Sequence, residues 1–178
     1  GHAIYCARNI IQNDPFAVVL ADDLIKSKVP CLKQMIDMYY QKESSIISVE
    51  SINKKDSDKY GIIESKNKDG NLYKIKSIVE KPSAKNAKSN IAVVGRFILS
   101  SAIFSKIKKS KPGSGNEIQL TDAISDLMKD EDVYGYRFEG KRFDCGSKIG
   151  YLKASVEYAL EHSEVKKDFK AYLKKLKL

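Results

Sequence analysis

The sequence predicts an α/β fold on a mixed sheet, and three observations carry that prediction. Residues 16–20, Phe-Ala-Val-Val-Leu, form a continuous apolar run that reads as a buried strand. Helix-spaced apolar residues stand on both sides of this run, and a second strand pattern follows at Ser45 to Val49, so strands alternate with helices. Between Gly61 and Val79, two alternating segments are joined by Asn67-Lys68-Asp69-Gly70, the turn chemistry of an antiparallel hairpin.

In chain order, Ala3, Ile4, Ala7, Ile10 and Ile11 fall at helical spacing, and Asn13-Asp14-Pro15 stops the pattern. The strand at 16–20 then runs into two adjacent carboxylates, Asp22 and Asp23. Successive strand side chains point to opposite faces, so these two acids cannot share one environment. Pro30 sits near the first turn of a second helix whose Leu32, Met35, Ile36 and Tyr39 form an apolar stripe. Strand, helix and strand in succession predict a parallel βαβ unit with a right-handed crossover. Gly61 to Ser65 and Leu72 to Val79 are the hairpin strands, and Asn90 to Leu99 is a further strand containing Ala92-Val93-Val94-Gly95.

Ser101 to Lys109 reads as a short helix with Ser100 or Ser101 as its cap, and Lys111 to Asn116 as a surface loop. A helix follows from Leu120 to about Lys129, then a strand from Val133 to Phe138 in which Tyr134 and Tyr136 are packing residues. Phe143-Asp144-Cys145-Gly146 makes a tight corner before a helix at Tyr151 to Glu161, and Asp168 to Leu176 forms the last one. Without an internal repeat, a low-complexity stretch or a composition break, residues 1–178 read as a single domain, with 147–178 a C-terminal helical segment.

Composition narrows the function classes. A hydrophobic content of 42% in regular segments argues against disorder. No apolar stretch approaches the roughly 20 residues that span a bilayer, and the start does not resemble a signal peptide, so a cytoplasmic protein without a membrane partner is expected. Cys6, Cys31 and Cys145 are odd in number and lack metal-like spacing; they read as reduced, mostly buried thiols. The net charge of +9 comes mainly from lysines interleaved with acids, and arginine occurs only at 8, 96, 137 and 142. That pattern is a solvated surface rather than a nucleic-acid interface. The basic, amphipathic tail from Lys166 to Lys177 is the exception: it suits a packed helix with one charged face, or a non-catalytic module binding a membrane surface or a partner.

The chemistry-bearing residues sit at strand ends. A carboxylate at the carboxyl end of a strand can hold a divalent cation against a phosphorylated substrate, although Asp22 or Asp23 could equally begin a turn. Glu80-Lys81-Pro82 ends a strand where proline forces the chain out of the sheet; its acid can accept hydrogen bonds from sugar hydroxyls and its ammonium can neutralise a phosphate. Asp144 suits either a helix cap or a metal ligand. Gly61 suits a close backbone approach to a ligand or a simple turn. Together these supply two acids, one base and one bare-backbone position, the set used by metal-assisted phosphoryl or nucleotidyl transfer. His2 and His162 are given no acid-base role, because a phosphate nucleophile is already ionised.

The motifs Gly1-His2-Ala3, Cys6-Ala7-Arg8, Pro15 to Asp22, Lys59-Tyr60-Gly61, Val79-Glu80-Lys81-Pro82, Val94-Gly95-Arg96-Phe97, Gly115-Asn116-Glu117-Ile118-Gln119-Leu120-Thr121-Asp122-Ala123-Ile124 and Phe143 to Tyr151 appear in this order along the whole chain. In this they closely resemble the bacterial UTP:glucose-1-phosphate uridylyltransferases. Glu-Lys-Pro occurs across sugar-nucleotide pyrophosphorylases, whereas the Glu117 to Ile124 and Asp144 to Tyr151 segments are more particular to the uridylyl branch.

The resemblance implies a three-layer α/β/α nucleotidyltransferase fold, Rossmann-like with a mixed sheet. It implies transfer of UMP from UTP to glucose 1-phosphate, giving UDP-glucose and pyrophosphate, with Mg²⁺ as cofactor. Asp22 and Asp144 then correspond to the acids near Mg²⁺, and Lys81 to the lysine contacting phosphate. Glu80 and the Gly61 backbone meet glucose, Val94 and Gly95 line the sugar pocket, and Gly1 with His2 lies beside the uridine. Asp23 departs from a common apolar residue and is treated as secondary. Thymidylyl or adenylyl transfer to a hexose 1-phosphate is the alternative on the same fold. The Gly-rich nucleotide loop with which the family begins has no counterpart before Gly1, so the expectation is an N-terminally incomplete portion that binds UTP weakly and turns over slowly or not at all. An exposed sheet edge would favour a homo-oligomer.

Overall fold

Consecutive residues in the central strands are buried on both sides, as a sheet sandwiched between helices requires. In the computed structural model, which describes residues 1–113 and 116–176, Ile47 and Val93 face one apolar layer while Ile46 and Val94 face the other.

The chain opens with α1 (His2–Cys6) and α2 (Arg8–Ile11), a helix interrupted at Ala7 and ended by Gln12 in a left-handed φ of 59°. Then come β1 (Phe16–Val19), β2 (Asp23–Lys26), α3 (Cys31–Lys42), β3 (Ser45–Ser51) and a 3-10 turn at Lys54–Lys59. The hairpin β4 (Gly61–Asp69) and β5 (Leu72–Glu80) turns through Gly70, whose φ of 56° suits glycine. After β6 (Ile91–Leu99) follow α4 (Ile103–Lys109), α5 (Leu120–Leu127), β7 (Val133–Arg137), β8 (Lys141–Asp144), α6 (Lys148–Ala159) and α7 (Lys166–Lys175). The expected loop at 111–116 includes Ser114 and Gly115, and the tail includes Lys177; these three lie outside the described residues.

Among the described residues, six strands form one mixed sheet in the order β1-β6-β3-β7-β5-β4. β3 and β7 run parallel, and the other neighbours are antiparallel. The start of β4 also returns to β6, with Ile62 opposite Ala92, so the sheet curls. One face carries α3, where Cys31 and Met35 pack on Ile46, Val94 and Ile98. The other carries α4 and α5, where Ile103, Ile107, Ile124 and Leu127 pack on Ile47, Val93, Phe97 and Leu99. This is the expected three-layer arrangement.

Three local expectations are corrected and a fourth is refined. β1 is not a buried central strand but the sheet edge, leaving Val19 and Leu20 half exposed, and it stops before the aspartates. The strands at 16–19 and 45–51 run parallel within one sheet, as the βαβ reading requires, but they are not neighbours, because β6 lies between them and is antiparallel to both. Neither Ser100 nor Ser101 caps α4: the Ser100 hydroxyl donates to Glu131 at 3.0 Å and that of Ser101 to the Asn13 carbonyl at 3.1 Å. Cys6 is exposed rather than buried.

Cys31, buried under α3, gives an alkaline signature. Burial pushes its thiol up from 9.0 to about 11, against the opposing pull of the Arg96 charge. The unfolded chain therefore releases this proton first as pH rises, and stability that is intact below pH 9 falls between there and about 11. The expected loss from this group is about 2–3 kcal/mol. Urea unfolding of wild type and Cys31→Ala across that range checks it: the variant, less stable at neutral pH, shows a shallower alkaline decline.

Candidate active site

The site grows from a short ribbon absent from the sequence-based expectations. After β1 the chain turns at Ala21-Asp22 and β2 pairs antiparallel with β8, placing Asp23 opposite Asp144. The ribbon is fastened by the Cys145 N–H donating to the Asp22 carbonyl at 2.7 Å. Asp22 and Asp144, far apart in sequence, thereby converge. A Cβ placed on Gly146 would lie 3.1 Å from Asp22 Oδ2 and 3.2 Å from Asp144 Oδ1, so the bare glycine leaves open the space between the two carboxylates.

The neighbouring acids occupy contrasting environments, because Asp22 lies in the turn between β1 and β2 whereas Asp23 is the first residue of β2. Asp22 is exposed to the cleft, whereas Asp23 is 5% exposed. Asp23 Oδ1 accepts from Arg142 Nε at 2.5 Å and Oδ2 from the Gly95 N–H at 2.7 Å. Gly95 permits that approach, since a Cβ there would come within 2.5 Å of Asp23 Oδ2. The Asp23 carbonyl accepts from Arg96 Nη2 at 2.5 Å, and Arg142 Nη1 donates to Glu50 at 2.7 Å. Burial works against the Arg142 charge, but its hydrogen bonds to Asp23 and Tyr60 and the charges of Asp23 and Glu50 prevail, raising its pKa. Asp23 is thus a structural anchor beneath the site, in keeping with its secondary place in the sequence reading.

Asp144 does not cap α6. Ser147 does so, accepting from the Gly150 N–H at 3.1 Å. Asp144 Oδ1 instead accepts from the Gly146 N–H at 3.1 Å and Oδ2 from the Tyr60 hydroxyl at 3.0 Å. Burial raises the Tyr60 pKa, the Arg142 hydrogen bond and charge lower it, and the Asp144 bond raises it again, leaving a net upward shift that keeps the phenol a donor. Glu80 is held by the Thr121 hydroxyl, which donates to Oε2 at 2.9 Å, and its Oε1 lies 3.9 Å from Lys81 Nζ. Lys81 has a left-handed φ of 45°, its N–H donates to the Tyr60 carbonyl at 3.0 Å, and its side chain is 54% exposed. The bare position at Gly61 is filled from within the protein: a Cβ would meet Thr121 Cγ2 at 2.9 Å.

These groups border a cleft of about 720 Å³. Of the residues named from sequence, Asp22, Asp144, Lys81, Glu80, Gly61, Val94, Gly95 and Gly1 line it, and the buried Asp23 borders it as well. His2 stands outside that lining, exposed on the first turn of α1 beside Cys6. Tyr60, Thr121 and Arg142 also line the cleft, and sequence reasoning gave them no role. Arginine scarcity was the one signal available for Arg142.

Two carboxylates facing an open space at strand ends, on a mixed sheet covered by helices, define a site suited to nucleotide phosphates. Residues 1–161 match the nucleotidyl transferase family model, and the chain belongs to that family. Within it, the chain is 43% identical over 176 residues to a UTP–glucose-1-phosphate uridylyltransferase of Staphylococcus epidermidis, covering 99% of this chain and 61% of the relative. A second such relative, from Staphylococcus saprophyticus, is 43% identical over 178 residues, covering 100% of this chain and 62% of its own length. A UDP-glucose pyrophosphorylase structure complexed with UDP-glucose superposes with a TM-score of 0.87 at 43% identity, over 90% of this chain and 62% of that one. The UTP-bound UGPase of Acinetobacter baumannii gives 0.88 at 38% identity, over 99% and 61%. The chain therefore spans about three fifths of these relatives. A glucose-1-phosphate thymidylyltransferase structure from Bacillus anthracis, at 24% identity and a TM-score of 0.69, shares the fold.

Proposed function

We propose that the protein transfers UMP from UTP to glucose 1-phosphate, releasing pyrophosphate and forming UDP-glucose. The convergence of Asp22 and Asp144 on the space left by Gly146 is the observation that carries this reading. A sugar-phosphate oxygen attacks the α-phosphorus of UTP, the bond from that phosphorus to the bridging oxygen of pyrophosphate breaks, and the UMP moiety passes to the sugar phosphate. The nucleophile is already ionised, so no protein base is needed; the barrier is the repulsion of several negative charges in one place. Lys81, exposed to the cleft beside Glu80, offsets part of it.

Mg²⁺ suits the remaining donors. Two carboxylates form a set smaller than any three-residue cluster, and among the described residues there is no group of three or more His, Cys, Asp or Glu arranged for a metal. A hard cation that completes its shell with water and substrate phosphates needs only one or two carboxylates. Asp22 and Asp144 would hold it, and when bound it supplies charge neutralisation at the reacting phosphates. Glu80, with Oε2 fixed by Thr121, is placed to accept from a sugar hydroxyl.

Among the described residues no helix is long and apolar enough to cross a membrane, and we place the reaction in the cytoplasm with the protein acting as a homo-oligomer. Competition between UTP, dTTP and ATP, assayed with glucose 1-phosphate on the protein at its full native length, tests the base assignment. The expected result is UDP-glucose as the dominant product; preference for dTTP or ATP transfers the assignment to the thymidylyl or adenylyl branch.

A further inference from the structure

Tyr60 touches both halves of the site, by its side chain at Asp144 and by its main chain at Lys81. Its hydroxyl donates to Asp144 Oδ2 at 3.0 Å, and its carbonyl accepts the Lys81 N–H at 3.0 Å. Beneath its ring lies the Arg142 guanidinium, 5.0 Å from the centroid. Arg142 Nη2 stands 3.9 Å from the same Asp144 Oδ2, at the outer limit of an ion pair, while its Nε and Nη1 are engaged by Asp23 and Glu50. Asp144 thus has two cationic or polar suitors on one oxygen, and only the Tyr60 hydroxyl is at hydrogen-bonding distance.

We infer that Tyr60 is a positioning residue which, through its hydroxyl, keeps the Asp144 carboxylate turned toward Asp22 instead of collapsing into a closed ion pair with Arg142. The inference rests on the reading of Asp22 and Asp144 as the cation-holding pair. A carboxylate drawn fully onto Arg142 would present less charge to a divalent cation and would leave the point on which Oδ1 and Asp22 now converge. The partner that orients a liganding carboxylate commonly governs metal affinity about as strongly as 10–100-fold. The peptide contact to Lys81 is independent of the hydroxyl, so removing the hydroxyl alone separates the two functions of this residue.

Tyr60→Phe retains the ring over Arg142 and the carbonyl that holds Lys81, and deletes the hydroxyl. The test is titration of the full-native-length protein with Mn²⁺, followed by water-proton relaxation, on wild type, Tyr60→Phe, Asp22→Asn and Asp144→Asn, with thermal unfolding recorded for each. Support would be Mn²⁺ binding by wild type, its loss in both asparagine variants, and affinity weakened about tenfold or more in Tyr60→Phe. A purely structural hydroxyl would instead shift the unfolding midpoint and leave Mn²⁺ affinity alone. Equal affinities in wild type and Tyr60→Phe overturn the positioning role while the aspartate pair stands. Absence of Mn²⁺ binding by wild type overturns both.

Discussion

Asp144→Asn and Asp22→Asn should each lower kcat for UDP-glucose formation by about 10³-fold, the rate equivalent of losing several kcal/mol of charge stabilisation at the reacting phosphates. The substitutions are close to isosteric, so the loss reports on charge. Asp22 is exposed and its side chain has no role in the core, which limits the expected change in stability to about 0.5 kcal/mol. Asp144 differs in having Tyr60 on Oδ2, but an asparagine carbonyl can accept the same hydrogen bond. Steady-state kinetics with both substrates varied, beside thermal unfolding, makes the comparison. Near-wild-type turnover in Asp22→Asn would refute the role of this pair. The converse control is Asp23→Asn, which leaves the cleft-facing carboxylates in place, so its effect should appear in stability first.

The sequence made most of the sheet readable and much less of the site's framework. β3, β5 and β6 carry apolar runs dense enough to mark strands, and the β4–β5 hairpin announces itself through Asp69-Gly70. The β2–β8 ribbon does not. Asp23-Leu24-Ile25-Lys26 and Lys141-Arg142-Phe143-Asp144 are each four residues long, carry two and three charged residues respectively, and are stabilised by each other across more than a hundred residues of chain. Local periodicity is blind to such a pairing, and the same long-range pairing brings Asp144 to Asp22. The edge position of β1 was equally hidden, because an apolar run reports hydrophobicity and not which strand lies beside it.

Site residues divide in the same way. Asp22, Glu80, Lys81 and Asp144 stood out because their charges interrupt apolar segments at strand ends. The polar tips of Tyr60 and Thr121 join the site through hydrogen bonds spanning 84 and 41 residues, respectively, and no spacing rule marks them. Gly61 lines the cleft, and the side chain whose close approach its missing Cβ permits within the protein is that of Thr121, which in turn fixes Glu80. A glycine at a strand start signals a close approach without naming what approaches.

Arg142→Met should be the most damaging substitution for stability, at about 3–5 kcal/mol, because it strands a buried charge. Asp23 and Arg142 are 7% and 8% exposed at their side chains and meet at 2.5 Å. Methionine fills the guanidinium's space but cannot compensate Asp23, whose remaining side-chain donor is the Gly95 N–H. Asp23→Asn should cost less, since Arg142 keeps Glu50 at 2.7 Å and the amide oxygen of the new side chain can still accept from Gly95. The double variant Asp23→Asn/Arg142→Met removes both charges and should therefore be more stable than Arg142→Met alone, which is possible only if the single variant's loss is the isolation of a carboxylate. Urea unfolding of the four proteins at pH 7 closes this cycle. Strict additivity would mean that Arg142 contributes through packing alone, and that the ribbon carrying Asp144 is held by apolar contacts rather than by the buried ion pair.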